Sequence, residues 1–393
     1  MRVLHVISTI DPDWGGPPVV ATRLAAAQAA QGHQVTLMSY DGEAARRSWA
    51  NDHGMLDGGS EVQMVYVPSG GRLEGLFGSN GRKVARSLMQ DHDVVHVHGV
   101  WETILRVTAE EAARAGKPYL FTAHGMLGEN HLKTKGWKKR IAIALKYRRL
   151  FNGAAALHMG NDVEAELSTI LGLQPPMLVC PNGISFEEIE PLPEKGTFRA
   201  KFPEVGARPF ILFLSRLHQV KGLDYLADAF KIFCESDEET DLVVAGPDGG
   251  MQEIFEAAIS AHGLDERVHV VGPLYGRDKF AAFADAECFC LPSRQEGFAI
   301  VLNETLACSL PMVITEGCNR PDIVEAEAGV MVPLEAGEIA RALSELMSDA
   351  QHRHAMGGNG RRHAADKLTW DAVSRTMIEN YKTYQSSATP SVR

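Results

Sequence analysis

The sequence has no run of about 18 uncharged apolar residues, which is the length that a membrane-spanning helix needs. Met1 and Arg2 lead directly into a short strand-like pattern, whereas a secretory signal peptide would continue with an apolar stretch. Both absences argue against membrane insertion and export, so we expect a cytoplasmic protein.

Cysteine is scarce, and the cysteines lack the paired spacing of a zinc site or of a disulfide-rich secreted domain. Most of them fall in strand-like or helix-like segments. We therefore expect reduced and mostly buried thiols at Cys180, Cys234, Cys288, Cys290, Cys308 and Cys318.

Basic residues are outnumbered, because 39 Lys and Arg stand against 50 Asp and Glu, and the formal net charge is -11. A protein that binds nucleic acid generally needs clustered cations to displace counterions from the phosphates. The composition therefore argues against nucleic acid as a partner.

Residues 133–149 depart from this balance, because they carry Lys and Arg but no Asp or Glu. Trp137, Ile141, Ala144 and Leu145 would fall on one face of a helix with this sequence. Such a basic amphipathic helix can lie on an anionic membrane surface, which would place the protein peripherally on the inner face of the membrane. A packed helix with a solvated basic face explains the pattern equally well.

The 393 residues are enough for two domains, and 45% of them are hydrophobic. Short runs rich in Val, Ile and Leu alternate with longer amphipathic segments, which predicts an α/β fold with parallel sheets covered by helices. One series of predicted strands comprises residues 3–8, 34–40, 62–67, 93–99, 119–123, 154–159 and 177–180. A second series comprises residues 210–214, 241–245, 268–272, 288–291, 311–315 and 329–332.

The domain boundaries follow from the segments between these series. Residues 187–201 are dominated by Pro, Glu and Lys without a period, which predicts a linker between a first domain, 1–186, and a second, 187–367. A helical period after residue 368 predicts a last helix over 368–385, and the polar tail 386–393 is expected to be disordered. Ligands of doubly wound sheets bind at the carboxyl ends of the strands, and two such domains imply a cleft between them.

Gly15 and Gly16 follow the first predicted strand and stand just before Pro17 at a helix start. Glycines allow close approach of the backbone to a ligand, and a helix N-terminus favours an anion. The segment matches neither the dinucleotide-binding glycine fingerprint nor a Walker loop, so a tight connection without a ligand explains it as well.

Arg216 and Lys221 lie five positions apart, directly after the first strand of the second series. At the carboxyl end of a strand they could hold both phosphates of a diphosphate, Arg as a fork and Lys as a point charge. A solvated turn is the alternative.

Glu296 and Glu304 stand at either end of a mostly apolar segment, and a helix is predicted from about Phe298. The amides of residues 297–300 would then be unpaired donors at a helix N-terminus. Each carboxylate could accept hydrogen bonds from a vicinal diol. Because burial of Glu304 without a partner would be costly, a ligand is the favoured partner.

Taken together, these motifs resemble those of a known family. Glu296 and Glu304, separated by seven residues, are similar to the signature of retaining nucleotide-sugar glycosyltransferases of family 4, which have the GT-B fold of two facing Rossmann-like domains with a deep cleft. The resemblance extends over nearly the whole chain, and it implies that the last helix packs back on the first domain. The motifs appear in the expected order as Gly15-Gly16, His124-Gly125, Pro181-Asn182-Gly183, Arg216 with Lys221, and the two glutamates.

The resemblance implies roles for individual residues. Arg216 and Lys221 would bind the donor diphosphate, Glu304 the ribose, and Glu296 the donor sugar, assisted by amides after it. Gly16 would lie near the phosphates, His124 near the sugar on the acceptor side, and Leu274 beside the base. The implied catalytic residues are Glu296, His124, Arg216 and Lys221. The donor-binding set adds Gly15, Gly16, Leu274, Gly297, Phe298, Ala299, Ile300 and Glu304.

Three positions depart from the family pattern and leave the shape of the sugar pocket open. Ser215, Ala299 and Ser309 stand where glycine is common. Other segments, 124–127 and 317–322, resemble variants in members that build bacterial exopolysaccharide, capsule or lipopolysaccharide.

The implied activity is transfer of a hexose from a UDP- or GDP-sugar to a hydroxyl of a glycan or lipid-linked glycan, with retention and with neither a cofactor nor a metal. Two Asp-x-Asp triplets, 11–13 and 91–93, are not interpreted as metal sites, because the cationic pair would already neutralise the diphosphate. The alternatives are a GT-B epimerase or phosphorylase, and a non-catalytic nucleotide-sugar-binding protein.

Overall fold

The structure is a computed structural model that describes residues 1–11, 14, 16–52, 56–126, 147–160 and 172–387. Two compact units divide the chain. Unit 1 comprises Met1–Gly183 and Trp370–Arg393, and unit 2 comprises Ile184–Thr369. Gly15, Asp13, most of the basic segment 133–149 and the end of the tail lie outside the described residues.

Unit 1 contains a parallel sheet of seven strands in the order β3-β2-β1-β4-β5-β6-β7. Its strands are almost continuously apolar, as expected for a parallel sheet buried on both faces. The strands are β1 (Arg2–Ile7), β2 (Gln34–Tyr40), β3 (Gln63–Val67), β4 (Val94–His98), β5 (Tyr119–Thr122), β6 (Ala156–Met159) and β7 (Met177–Val179). The helices are α1 (Gly16–Ala30), α2 (Glu43–Asp52), α3 (Gly71–Phe77), α4 (Ser79–Leu88), α5 (Thr103–Arg114) and α6 (Arg148–Asn152).

The C-terminal helix, Trp370–Ser387, also belongs to unit 1. Val373, Met377 and Tyr381 lie on one of its faces and pack in a buried cluster with Val3 of β1 and Leu120 of β5. The helical period that predicts this element therefore marks its buried face.

Unit 2 contains a parallel sheet of six strands in the order β10-β9-β8-β11-β12-β13. The strands are β8 (Phe210–Leu214), β9 (Asp241–Ala245), β10 (Val268–Gly272), β11 (Cys288–Leu291), β12 (Met312–Thr315) and β13 (Gly329–Val332). The helices are α7 (Phe186–Ile189), α8 (Thr197–Lys201), α9 (Leu223–Phe233), α10 (Gln252–Ala261), α11 (Gly276–Asp285), α12 (Ile300–Ala307), α13 (Pro321–Glu325), α14 (Ala336–Ser348) and α15 (Ala350–Lys367).

The predicted α/β class with two parallel sheets is confirmed, but the predicted linker is wrong. Residues 187–201 contain parts of α7 and α8, and Phe198 is buried in the core of unit 2. The unit boundaries fall instead beside Ile184 and Thr369, which form a parallel bridge within unit 2. One buried aromatic and short helical turns are too little for periodicity to detect.

The cysteines agree with the expectation of reduced and mostly buried thiols. All six cysteines are unpaired and all but Cys234 are buried, and burial raises the pKa of the Cys288 thiol to about 12. Within the described ranges, no helix combines the length and the apolar character needed to span a bilayer.

Candidate functional site

The strand order of unit 2 creates a crevice between β8 and β11. From β8 the chain first adds β9 and β10 on one side and then β11, β12 and β13 on the other, although β8 and β11 are paired neighbours. Connections from adjacent strands diverge at such a switch point, so a ligand can bind between them at the carboxyl ends. Arg216 and Lys221 follow β8, and Glu296 follows β11.

The segment after β8 is held by its own backbone. The Leu217 amide donates to the Pro247 carbonyl, and the Val220 amide donates to Nδ1 of His218 at 3.2 Å, at the start of a 3-10 turn over Gln219–Lys221. Gly222 ends that turn at φ 71°, and a Cβ there would lie 1.9 Å from the Pro292 carbonyl oxygen. Only glycine allows the two loops to approach this closely.

Lys221 and Glu296 meet in this crevice. Nζ of Lys221 donates to both carboxylate oxygens of Glu296, at 2.7 and 2.8 Å, and the Ser293 hydroxyl donates to one of them. The Glu296 side chain is nearly buried and Lys221 is half-buried. The carboxylate is therefore fixed in orientation and its charge is compensated before a ligand arrives.

Arg216 differs from Lys221, because its side chain is exposed and forms no salt bridge with any residue that the structure describes. The carbonyl oxygen of Ser215 lies 1.8 Å from where a Cβ on Gly246 would be, and Cγ of Arg216 lies 3.1 Å from a Cβ built on Gly249. The loop after β9 therefore has Gly246 and Gly249 at the positions where it packs closely against the segment that carries Arg216. An exposed guanidinium at a strand end is suited to bind an anion.

Arg294, which sequence reasoning did not single out, ties the two loops together. Its amide donates to the Val220 carbonyl at 2.8 Å, and its guanidinium donates to the Gln219 carbonyl at 2.6 Å. The same guanidinium forms a bidentate pair with Asp224 at the start of α9. Hydrogen bonds of Arg294 therefore join the loop that carries Lys221 to the loop that carries Glu296.

The segment after β12 supports Glu296 from the other side. The Glu296 amide donates to the Gly317 carbonyl at 2.8 Å, and the Asn319 amide group donates to the Glu296 carbonyl at 3.1 Å. A Cβ on Gly317 would lie 2.3 Å from the Ser293 carbonyl oxygen. Both backbone polar groups of Glu296 are therefore bonded to the segment after β12.

Arg320 is a buried cation beneath the same loop and was also missed. Its side chain is 3% exposed, and it donates to Asp322 through two nitrogens at 2.7 Å and to Asn303 at 2.7 Å. Burial alone would raise the pKa of Asp322, but hydrogen bonds from Arg320 and His363 outweigh it and hold that pKa well below its usual range. In the sequence, Arg320 and Asp322 lie in the segment 317–322 that resembles family variants, and the Arg-x-Asp spacing is the signal for their pairing.

The helix after Glu296 begins later than predicted. Ala299 is extended, with φ -85° and ψ 97°, and α12 starts at Ile300, so the prediction of a helix from about Phe298 is wrong. The Arg320 guanidinium lies 5.3 Å from the centre of the Phe298 ring, within the range of a cation–π contact. Of the amides predicted at the helix N-terminus, only that of Ile300 lies in the first turn.

Glu304 has a protein partner, contrary to the argument that favoured a ligand. It lies on α12 and accepts a hydrogen bond from Nζ of Lys279 on α11 at 2.5 Å. The ion pair removes the cost of an unpartnered buried carboxylate, so burial no longer argues for a ligand at Glu304. Leu274 is likewise buried in the core of unit 2, whereas the neighbouring Tyr275 is 70% exposed.

The predicted residues of the first domain lie in unit 1. Gly16 is the first residue of α1, and Gly15 lies outside the described residues. His124 follows β5 at φ 50°, an uncommon conformation for a residue other than glycine, and its Nε2 lies 3.3 Å from Nδ1 of His98.

Comparison with known proteins agrees with this architecture. Residues 15–183 match the glycosyl transferase 4-like domain, and residues 194–363 match the glycosyl transferases group 1. The D-inositol 3-phosphate glycosyltransferase of Jonesia denitrificans is 25% identical, with 97% of this chain and 95% of that protein covered. A GDP-mannose-dependent alpha-(1-6)-phosphatidylinositol monomannoside mannosyltransferase of Mycolicibacterium smegmatis is 26% identical, with 75% and 78% covered.

Solved structures show the same fold. Anabaena HepE in complex with UDP superposes with a TM-score of 0.76 at 17% identity, over 98% of this chain and 100% of that one. WaaG, a glycosyltransferase involved in lipopolysaccharide biosynthesis, superposes with a TM-score of 0.63 at 20% identity, over 96% and 98%. Two parallel sheets with these neighbours define a GT-B fold, as predicted.

The two family matches together span most of the chain, one in each unit. The chain belongs to the family 4 type of GT-B glycosyltransferases, and the predicted resemblance is confirmed.

Proposed function

We propose that the protein is a retaining glycosyltransferase that moves a hexose from a UDP- or GDP-sugar to a hydroxyl of a glycan or lipid-linked glycan in polysaccharide biosynthesis. The observation that carries this proposal is the group of Arg216, Lys221 and Glu296 at the switch point of unit 2. Relatives support the donor class, because HepE binds UDP and the mycobacterial relative depends on GDP-mannose.

The two cations would share the donor diphosphate. Arg216 is exposed and can form a bidentate contact with phosphate oxygens. Lys221 already contacts Glu296, so its ammonium can bridge the carboxylate and a phosphate with its three donors. As the bond to the sugar breaks, both cations would stabilise the negative charge that develops on the leaving diphosphate.

Retention would come from attack on the same face of the sugar from which the diphosphate leaves. The acceptor hydroxyl oxygen bonds to the anomeric carbon, the bond from that carbon to the phosphate oxygen breaks, and a phosphate oxygen takes the hydroxyl proton. Glu296 would orient the sugar without attacking it, because Lys221 and Ser293 already occupy its carboxylate. Comparing the anomeric configuration of donor and product by NMR tests retention, and inversion would refute it.

Kinetic variants test this division of labour. Glu296→Gln should keep more activity than Arg216→Ala or Lys221→Ala, each of which should lower kcat by about 100-fold or more. Arg341→Ala is the matched control, because Arg341 is an exposed arginine of unit 2 whose salt bridges, among the residues that the structure describes, are with Glu338 and Glu345 of α14. A glycosyl adduct trapped on Glu296 would overturn the assigned role.

The remaining donor contacts would be made by residues that flank the crevice and by Gly16 of unit 1. Glu304 would hold the ribose hydroxyls with Lys279 orienting its carboxylate, while Gly16 would lie near the phosphates. Because the Leu274 side chain is in the core, the backbone around it would contact the base. No metal is required by this scheme, since two cations neutralise the diphosphate, and full activity after removal of divalent ions with EDTA is the expected result.

A panel of UDP-, GDP- and ADP-sugars, scored by nucleotide release and by thermal shift, tests the proposed activity most directly. Release of nucleotide that depends on an added glycan acceptor, with one preferred donor, would support it. Conversion of the donor without an acceptor would indicate an epimerase, and sugar phosphate formation with inorganic phosphate would indicate a phosphorylase. Saturable binding without turnover would indicate a binding protein.

A lipid-linked acceptor fits the mycobacterial relative, which acts on a phosphatidylinositol mannoside. Residues 133–149 would then bring the enzyme to an anionic membrane surface. Flotation with anionic vesicles should recover the protein, and charge reversal at Lys138, Lys139 and Arg140 should abolish recovery. Unchanged recovery would show that the basic segment does not bind membrane.

A further inference from the structure

Unit 1 contains a cluster of polar side chains in the middle of an apolar sheet. Five histidines contribute, from β1, β4, β6 and the end of β5, and a glutamine, a threonine and a tyrosine connect them. All are buried except His124, which is half-buried. The members are His5, Gln28, His96, His98, Thr122, His124, His158 and Tyr381.

The cluster has one end whose hydrogen-bond direction is certain. Nε2 of His158 lies 2.9 Å from the backbone carbonyl of Cys180, which can only accept, so His158 donates there. Nδ1 of a neutral His158 must then accept from the Thr122 hydroxyl at 2.7 Å. Thr122 in turn accepts from Nε2 of His96 at 2.5 Å, and Nδ1 of His96 accepts from the Tyr381 hydroxyl at 2.5 Å.

The same direction continues to His124. Because Tyr381 donates to His96, its oxygen accepts from the Gln28 amide nitrogen at 3.5 Å, which turns Oε1 of Gln28 toward His5. Nε2 of His5 donates to that oxygen at 2.8 Å, and its Nδ1 accepts from Nε2 of His98 at 2.9 Å. Nδ1 of His98 finally accepts from Nε2 of His124 at 3.3 Å.

This chain of hydrogen bonds requires that all five imidazole rings be neutral, and their burial keeps them neutral. Burial lowers the pKa of His5 and of His158 to about 4 and that of His124 to about 3. Burial also lowers the pKa values of His96 and His98 well below the usual range. Other than histidine, the groups of the cluster are uncharged, and burial raises the pKa of Tyr381.

We propose that this one-directional chain of hydrogen bonds, anchored at the Cys180 carbonyl, fixes His124 as the Nε2–H tautomer and leaves its Nδ1 as an acceptor for a sugar hydroxyl. This rests on the proposed function only for the identity of the hydroxyl. Thr122, Tyr381 and Gln28 are then positioning residues that act on His124 through other side chains. Tyr381 makes the C-terminal helix part of that positioning, although the helix follows unit 2 in the chain.

The cluster is not a metal site in this arrangement. His5, His96 and His98 each offer a ring nitrogen, and these atoms lie within 4.8 Å of one another. Each ring nitrogen of the three has a hydrogen-bond partner in the protein, so a metal ion held by one nitrogen of each ring would have to displace at least two of these bonds. A directional chain accounts for all of the nitrogens.

Thr122 and Thr36 provide a matched pair of variants. Both are buried strand residues whose hydroxyls contact a buried histidine, but Thr36 contacts His92, which is not part of the chain of hydrogen bonds that leads to His124. Thr122→Val should lower kcat several-fold with little change in the donor KM, and Thr122→Ser should restore it. Thr36→Val should change neither value, although it should cost comparable stability in urea unfolding.

The tautomer itself is measured by NMR of the protein labelled with 15N in histidine, assigned with His124→Gln. Wild type and Thr122→Ser should show His124 as one Nε2–H tautomer, and Thr122→Val should show a mixture. A single tautomer in Thr122→Val, or equal loss of kcat in Thr36→Val, would overturn the proposal. The NMR result needs no substrate, so absence of turnover with every donor would refute the proposed function and leave the tautomer result interpretable.

Discussion

The carboxyl ends of the two parallel sheets carry opposite kinds of polarity. In unit 2 the loops after β8, β11 and β12 carry charged pairs, Lys221 with Glu296, Arg294 with Asp224 and Arg320 with Asp322. In unit 1, neutral imidazoles and hydroxyls joined by hydrogen bonds extend from the middle of the sheet to the carboxyl ends of β4 and β5. The first six strands of unit 1 have the same order as the six strands of unit 2, so this difference in polarity lies in the side chains.

The two chemistries suit different tasks. A surface cation such as Arg216, or one paired with a carboxylate such as Lys221, can gain a phosphate as a further partner when an anion arrives. A buried neutral chain cannot bind an anion, but it fixes which atom of His124 carries a proton. We therefore propose that unit 2 supplies charge to the donor, and that unit 1 supplies a hydrogen bond of fixed direction.

The largest effect on stability should come from the buried cation of unit 2. Arg320→Met would leave Asp322 without its bidentate partner and should lower the free energy of unfolding by about 3 kcal/mol, measured by urea denaturation. Arg341→Met removes exposed pairs and should cost less than about 1 kcal/mol. Equal costs would show that Arg320 does not hold the loops of the crevice.

The next largest effect should come from acidification, which should destabilise the histidine cluster of unit 1 before the charged pairs of unit 2. His5 and His158 have a pKa of about 4 when folded but about 6.5 when unfolded, so the unfolded state binds more protons between these values. Stability is therefore complete above pH 6.5 and falls on acidification toward pH 4, by up to about 1.4 kcal/mol per pH unit for each such histidine. Hydrogen exchange of peptides from β4 and β5 between pH 7 and 5 should show this loss.

A variant isolates the histidine contribution to this pH dependence. His158→Gln should make the slope of unfolding free energy against pH shallower by about one proton over the same range. Asp322, whose folded pKa is lowered, loses its stabilising effect only at more acidic pH, toward and below the ordinary carboxyl range. An unchanged slope in His158→Gln would mean that the histidine is protonated in the folded protein.

The sequence predicts the two sheets well because each strand is a short apolar run followed by a helical period. It also predicts the order of site residues, since Arg216, Lys221 and Glu296 all follow strands of one sheet. It does not predict the partners of these residues. Lys279 and Glu304 lie on different helices, and only the packing of α11 beside α12 brings them together.

The histidine chain shows the same limit more strongly. His96 and His98 look like packing residues in the sequence, because they alternate with valines in a buried strand. Their hydrogen-bond partners come from β1, from β5 and the loop after it, and from the C-terminal helix. The αL conformation of His124 and the late start of α12 likewise depend on tertiary contacts that local patterns do not encode.

The smallest effect should come from the ion pair between Lys279 and Glu304. Lys279→Met should raise the donor KM a few-fold and leave kcat unchanged, because the partly exposed pair with Glu304 orients a carboxylate away from the reacting atoms. Lys201→Met is the control, since Lys201 pairs with Asp278 on the same helix α11. A kcat reduced more than tenfold would instead place Lys279 at the leaving group.

The central claim is that the crevice of unit 2 binds a diphosphate through Arg216 and Lys221. Isothermal titration calorimetry of the protein with UDP and GDP, compared with UMP and GMP, tests it most directly. Wild type should bind one diphosphate more tightly than its monophosphate, and Arg216→Ala and Lys221→Ala should each remove most of that preference. Arg341→Ala should keep it. Diphosphate binding of undiminished affinity in both crevice variants would contradict the account.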